Sequence, residues 1–306
     1  MADARVALGI DVGGTKVALV LLDAEATVLA ERRLLNRQHP DAATLLEAVV
    51  REVVSLADER PAGSILAGTG VGICELVGPT GEIESATTIP WRRSDLDEAF
   101  SSLGPLKVEA DVRAAAVAEA VFGAGRPFPT FGYVTLGTGI SSAFVRDGEA
   151  WIGAHGVAQL LGSSRITLSC PHCGRMQDTS LEEAASGAGI ARRYQERTGL
   201  DVTGSDEVVA AAAGDDAVAD QILAEAADTL GSFLALFVNL LDPHAMVLGG
   251  GLVSAETPFR ERVIEAARSH IWAESACSTP LLVGELGPNA GAIGAAWSVL
   301  VQERSA

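Results

Sequence analysis

The chain has 306 residues, a net charge of −18, 48% hydrophobic and 20% charged residues. That composition excludes a disordered chain and suits one large or two medium domains with an ample core. The acidic balance excludes a nucleic-acid-binding surface, which needs clustered positive charge, but not an anionic nucleotide, since a local nest of backbone N–H groups binds phosphate even in an acidic protein. No run reaches the roughly 18 apolar residues of a membrane helix, no signal peptide precedes the first strand, and Cys74, Cys170, Cys173 and Cys277 make no disulfide framework at this length. The expectation is a cytoplasmic protein with neither nucleic-acid nor membrane partners.

In chain order, residues 5–35 read as strand, turn, strand and a third strand around Thr27–Leu34. Residues 41–60 carry Leu45, Leu46, Val49, Val50, Val53 and Val54 at helical spacing. Ile65–Cys74 has the composition of a buried strand, Val77–Gly81 is a Pro/Gly turn, and Leu106–Ala110 is a short strand. The alanine-rich run Asp111–Phe122 is helical. A second hairpin follows within 132–147: Tyr133–Leu136, then Gly137-Thr138-Gly139, then Ile140–Val145. Residues 217–241 form a long apolar helix ending at Asp242-Pro243. Met246–Leu248 leads into Gly249-Gly250-Gly251, and a glycine- and alanine-rich helix spans about Ala290–Val301.

The first hairpin carries the strongest chemical signal. An apolar run leads into Asp11, then Gly13, Gly14, Thr15 and Lys16, then a second apolar run. Glycine lets backbone approach a polyanion, because no Cβ stands in the way. The turn's N–H groups, Thr15 and Lys16 suit phosphate, and Asp11 suits a metal-bound water. The spacing is not that of a Walker loop. The bland alternative is an ordinary tight hairpin. Two Gly-Thr hairpins, each opening a stretch of strands and helices, suggest two related α/β halves with a cleft between them.

Three glycine turns stand in one order: Asp11–Lys16, Gly137–Gly139 and Gly249–Gly251. Their joint pattern resembles the actin-like (ribonuclease H-like) ATPase fold, and within it the ROK group of repressors and sugar kinases, over almost the whole chain. Asp11-Val-Gly-Gly-Thr-Lys16 resembles that family's first phosphate motif, Leu136-Gly-Thr-Gly-Ile140 the second, and Val247-Leu-Gly-Gly-Gly251 the adenosine-side motif. Gly291-Ala-Ile-Gly-Ala295 resembles its closing helix. The resemblance implies ATP and Mg²⁺ as cofactors and a homodimer. It also implies a smaller N-terminal α/β domain from 1–111 with 292–306, and a larger one from 112–291. Asp111 in Val108-Glu-Ala-Asp-Val-Arg-Ala114 matches the family's catalytic base. Such a base needs one carboxylate within reach of the acceptor hydroxyl, while the transferring phosphoryl group needs positioning and charge neutralisation. As the start of an Ala-rich helix, Asp111 also reads as an N-cap.

The sugar pocket departs from the family. The Asn before the catalytic Asp is Ala110, and the Asn two positions after it is Arg113. The sugar-binding Gly-Glu-x-Gly-His stretch is Gln159-Leu-Leu-Gly-Ser163, so its Glu becomes Leu160 and its His becomes Ser163. The Asn of the Asn-x-Pro-Gly-Trp segment appears as Thr88. Each hydrogen bond left unmade costs about 1–3 kcal/mol, so glucose is a poor fit. Glu182, in Leu181-Glu-Glu-Ala-Ala-Ser-Gly187, survives and is expected to accept a hydrogen bond from the acceptor; its bland reading is a solvated first-turn glutamate. His155 is a loop residue or substrate neighbour. The family's zinc loop is reduced to Cys170-Pro-His-Cys173, with Ser180 where the last Cys is expected. Cys170, His172 and Cys173 offer three of the four ligands structural zinc wants, and Asp178 is a candidate fourth.

These observations favour an ATP-dependent kinase of a small polyol, with an amino sugar such as kanosamine, or a cyclitol, as acceptor. Two readings stand beside it. One is an ordinary glucokinase with replaced contacts, Arg113 and Gln159 being candidates. The other is a non-catalytic sugar-sensing ROK protein, although the family's repressors carry an N-terminal helix-turn-helix for which no room precedes Val6.

Overall fold

Nearly continuous apolar sequence buries both faces of the first two strands, β1 (Arg5–Val12) and β2 (Lys16–Asp23). In β3 (Val28–Leu35) burial alternates with exposure, as befits a sheet edge carrying Glu31, Arg32 and Arg33. The computed structural model describes residues 4–169, 174–254 and 256–304. The chain continues with α1 (Ala42–Asp58), β4 (Ile65–Ile73), α2 (Arg93–Ala99), β5 (Leu106–Ala110) and α3 (Asp111–Phe122). Next come β6 (Thr130–Leu136), β7 (Ile140–Arg146), β8 (Glu149–Ala150), β9 (Arg165–Ser169) and β10 (Met176–Ser180). The helices α4 (Leu181–Ala185), α5 (Gly187–Thr198), α6 (Ser205–Ala213) and α7 (Ala217–Leu241) follow. β11 (Ala245–Gly249), α8 (Gly251–Ser254), α9 (Pro258–His270), β12 (Leu281–Val283) and α10 (Ala290–Arg304) complete the chain.

The chain divides into two units: residues 1–127, 145–158 and 285–306, and residues 128–144 and 159–284. In the first, the sheet order is β3-β2-β1-β4-β5, with β2 antiparallel to β1 and β3, and β4 parallel to β1 and β5. Helix α1 is capped by Asp41, whose carboxylate accepts the Thr44 N–H at 2.8 Å. It lays Leu45, Val49, Val53 and Leu56 against Val6, Leu8 and Ile10. Alternate residues face the other way, where Ala7, Ala18, Val20 and Leu22 meet Ala292, Ala296 and Val299 of α10. Contact there is backbone on backbone. A Cβ on Gly9 would lie 2.0 Å from the Ala292 carbonyl oxygen, and one on Gly70 would lie 1.9 Å from that of Ala295. Helix α3 packs on the same α10, with Phe122 edge-on to Trp297 at 4.7 Å between centroids. The first unit thus includes α3 and residues 145–158.

In the second unit β6 joins β7 through Gly137–Gly139, β11 runs parallel to β6, and β12 runs parallel to β11. Including β8 at its end, that sheet reads β12-β11-β6-β7-β8. A hairpin beside two strands added in parallel repeats the path of the first sheet, which is the duplication expected from the two Gly-Thr hairpins. Helix α7 carries Ile222, Leu223, Leu230, Leu234 and Phe237 into the core, together with Phe259 and Val263 of α9. By length and composition α7 is apolar enough to cross a membrane, though polar residues interrupt its apolar run, and 56% of its most apolar window is buried.

Candidate active site

The first unit holds the expected Asp11, Gly13–Lys16, Thr88, Ala110, Asp111, Arg113 and His155. Asp11 stands one residue before the end of β1, and Gly13-Gly14-Thr15 turns the chain into β2 at Lys16. The Gly13 N–H donates to the Lys16 carbonyl at 3.0 Å. Asn36, just past β3, braces the turn: its backbone N–H donates to the Thr15 carbonyl at 3.0 Å and its Nδ2 to the Gly13 carbonyl at 2.9 Å. Two carbonyls that would repel an anion are thus satisfied within the protein. Gly14, Thr15 and Lys16 remain exposed, as phosphate recognition requires. Sequence reading misses Asn36, because a lone Asn after an apolar strand signals a strand end and nothing more.

Asp111 is the first residue of α3, and Ala110 occupies the N-cap position without a side-chain cap. The Asp111 carboxylate accepts the Val112 N–H at 2.6 Å. Burial pushes its carboxyl up to about 6; the Val112 N–H and the Arg113 charge pull against this, and Glu75 adds to it. Asp11 is pushed up to about 7, first by burial and then by the charge of Asp111, with Lys16 opposing. Two hard carboxylates held against their preference for ionisation suit a divalent cation such as Mg²⁺, which would relieve the repulsion. Cys74, between them in the field of both, is pushed up to about 12, chiefly by burial, and stays a thiol.

Arg113, 5% exposed, is engaged by protein on all sides. Its Nε donates to Glu109 Oε1 at 2.5 Å, and its terminal nitrogens to the carbonyls of Gly156 and Val77, each at 2.6 Å. His155, beside Gly156, is exposed. Thr88 is exposed too, and its methyl carbon lies 3.0 Å from where a Cβ on Gly14 would be. The Thr88 N–H donates to the carboxylate of Glu75, a buried residue that sequence reading does not single out.

The second unit holds the other two glycine turns side by side. Gly250 takes φ of +89°, and a Cβ there would lie 2.4 Å from the Leu136 carbonyl oxygen, next to Gly137. The N–H groups of Gly187 and Ala188, opening α5, donate to the carbonyls of Gly137 at 2.8 Å and Thr138 at 3.2 Å. Glu182, exposed in the first turn of α4, accepts the Ile140 N–H at 2.8 Å and so closes the same turn. Gln159 has a left-handed backbone (φ +68°), and its carbonyl accepts from Ser142 Oγ at 2.5 Å and the Leu161 N–H at 2.7 Å. Leu160 is 43% exposed. The zinc candidates Cys170, His172 and Cys173 lie outside the described residues. Asp178 accepts a hydrogen bond from Thr167 at 2.9 Å, and Ser180 caps α4 by accepting the Glu183 N–H. Among the described residues no group of three or more His, Cys, Asp and Glu side chains is placed to hold a metal.

A family model described as the ROK family matches residues 7–303. The chain is 28% identical to a glucokinase of Halalkalibacterium halodurans, over 97% of this chain and 96% of the relative. It is 27% identical to an N-acetylgalactosamine kinase of a Shewanella species, over 94% of each. Its structure superposes with a TM-score of 0.80 on a ROK family glucokinase from Streptomyces griseus in complex with glucose and AMPPNP, at 26% identity over 96% of this chain and 98% of that one. Matched over nearly its whole length in sequence and in structure, this chain belongs to the ROK family and has the actin-like ATPase fold.

Proposed function

We propose that this ROK sugar kinase transfers the γ-phosphoryl group of ATP to a hydroxyl, of the primary 6-position type, on a hexose-like acceptor other than plain glucose: an amino sugar such as kanosamine, or a cyclitol. The observation that carries the reading is the pair of raised carboxyls, Asp11 and Asp111, at the ends of β1 and β5. In this reading Asp111 accepts the proton of the acceptor hydroxyl while that oxygen bonds to the γ-phosphorus and the bond to the ADP oxygen breaks. A carboxyl raised to about 6 is ionised at neutral pH yet more basic than an ordinary carboxylate, which is what a general base requires. In this reading Gly13, Gly14, Thr15 and Lys16 and the turn Gly137–Gly139 recognise the phosphates, and Gly249–Gly251 the adenosine side. Mg²⁺ held against Asp11 would neutralise phosphate charge.

The acceptor assignment is supported by what is missing. Leu160 offers no hydrogen bond where the family has Glu, and Arg113 has its donors on Glu109, Val77 and Gly156 rather than free for a sugar. Relatives named for glucose and for N-acetylgalactosamine show that the family's acceptors vary. The test is a panel of glucose, N-acetylhexosamines, kanosamine and cyclitols with ATP and Mg²⁺. An amino sugar or cyclitol is expected to give the highest kcat/KM, and glucose in that place would refute the acceptor assignment. The reading extends to a homodimer in the cytoplasm, checked by light scattering on the purified protein and by cell fractionation.

A further inference from the structure

Glu75 is 5% exposed, and among the described residues no cation pairs with it. Its carboxylate instead collects five hydrogen bonds from one loop. Ser85 Oγ, the Thr87 N–H at 3.0 Å and Thr87 Oγ1 at 3.1 Å share Oε2, while the Thr88 and Ile89 N–H groups reach Oε1 at 2.5 and 2.7 Å. Three of the donors are successive backbone amides, so the carboxylate sets the path of the main chain rather than one side chain. Burial alone would raise this carboxyl; the bonds from Ser85, Ile89, Thr87 and Thr88 outweigh it and hold it below the ordinary value. A buried charge without a cation is expensive unless fully hydrogen-bonded, and here it is.

The place matters as much as the count. Glu75 follows β4, whose Gly72 lies against Asp111: a Cβ there would be 3.3 Å from the Asp111 Cα. The loop it holds puts the Thr88 methyl against Gly14 of the first glycine turn. One carboxylate therefore ties the segment carrying Thr88 to both the phosphate turn and the strand next to the base.

We propose that Glu75 is a positioning residue for the phosphoryl acceptor, fixing the backbone of Thr87–Ile89 so that Thr88 is presented beside Gly14. The proposal rests on the kinase reading, but part of its test does not. In Glu75→Gln one oxygen is replaced by an amide that faces N–H donors. Amide hydrogen exchange on the ligand-free protein is expected to accelerate at Thr87, Thr88 and Ile89, with α1 and α3 unchanged. With the best sugar of the panel as acceptor, its KM is expected to rise by about tenfold or more while the KM for ATP stays within about twofold, as loss of charged hydrogen bonds at one loop predicts. Unchanged exchange at these amides, or a parallel rise in both KM values, overturns the proposal. Where Glu75→Gln fails to fold, Ser85→Ala and Thr87→Val, which leave the carboxylate in place, are expected to raise the acceptor KM by roughly two- to fivefold each. An unmoved KM in both overturns it equally. A wild type that phosphorylates no sugar refutes the kinase reading, and the acceptor role with it, while the exchange result still reports what Glu75 does to the loop.

Discussion

Arg113 donates to the Gly156 carbonyl at 2.6 Å, joining the first turn of α3 to a loop 43 residues later. The approach is tight: Gly156 takes φ of +71°, and a Cβ there would lie 2.5 Å from the Val77 carbonyl that the same guanidinium binds. Arg113→Ala leaves two carbonyls without their donor and the Glu109 carboxylate with only the Ala110 N–H. Glu109 is 36% exposed and recovers some solvation. The expected loss is therefore about 2–4 kcal/mol, below the full value for a buried pair. Arg113→Lys is expected to restore less than half, since one ammonium cannot reach three acceptors in a planar fork. Urea unfolding measures both; unchanged stability with only a raised acceptor KM would mean that Arg113 serves the substrate instead.

Asp111→Asn keeps the shape of the side chain and removes the proposed base. The expected result is a fall in kcat of about 10²–10⁴ with the KM for ATP nearly unchanged. Steady-state kinetics with the best acceptor checks it, and a kcat within threefold of wild type would exclude Asp111 as base.

Asp11 gives a pH-dependent prediction. Its folded value, about 7, lies above the unfolded one, so between about pH 4 and 7 the unfolded chain holds fewer protons and stability falls as pH rises. Asp11→Asn should then stabilise the protein at pH 8, and the gain should vanish below about pH 4. Because the carboxyl keeps some contact with solvent, the gain is on the order of 1–2 kcal/mol. Mg²⁺ should raise the melting temperature of the wild type more at pH 8 than at pH 5, and that of Asp11→Asn at neither. Thermal scans across pH decide the matter.

Gly291 lies at the start of α10 against Asp11: a Cβ there would stand 2.5 Å from the Asp11 Cγ. Gly291→Ala must displace either the carboxyl or the helix. The expected consequence is a raised KM for ATP with a stability loss of about 1–3 kcal/mol. Gly204→Ala, with nothing within 4 Å of the new carbon, is the control and should leave the KM for ATP unchanged, with a stability loss limited to the N-cap of α6.

The elements that sequence reading locates are those with a strong period or a glycine turn: the two hairpins, α1, α3, α7 and α10. The exposed hairpin of β9 and β10 escapes it, because Met176–Ser180 has no alternating apolar face. The three glycine turns are local and legible, whereas the groups that brace them are not. Asn36 reaches back 23 residues to Gly13, and Glu75 reaches forward to amides at 87–89. Arg113 stands at a position where the family has a polar side chain, so sequence reading sends it to the acceptor. Its partners are main-chain carbonyls at 77 and 156, which no side-chain pattern reveals.

The backbone-close seat of α10 has a consequence for the birth of the molecule. The first sheet is translated ahead of most of the second unit, but the helix that covers Ala7, Ala18, Val20 and Leu22 follows that unit in the chain. The second unit, complete by residue 284, has all its sequence before then. The order of completion thus reverses the order of translation. A released chain truncated after residue 284 should hold a protease-resistant second unit and a first unit that is still cleaved, its sheet face left bare for chaperones by the lack of α10.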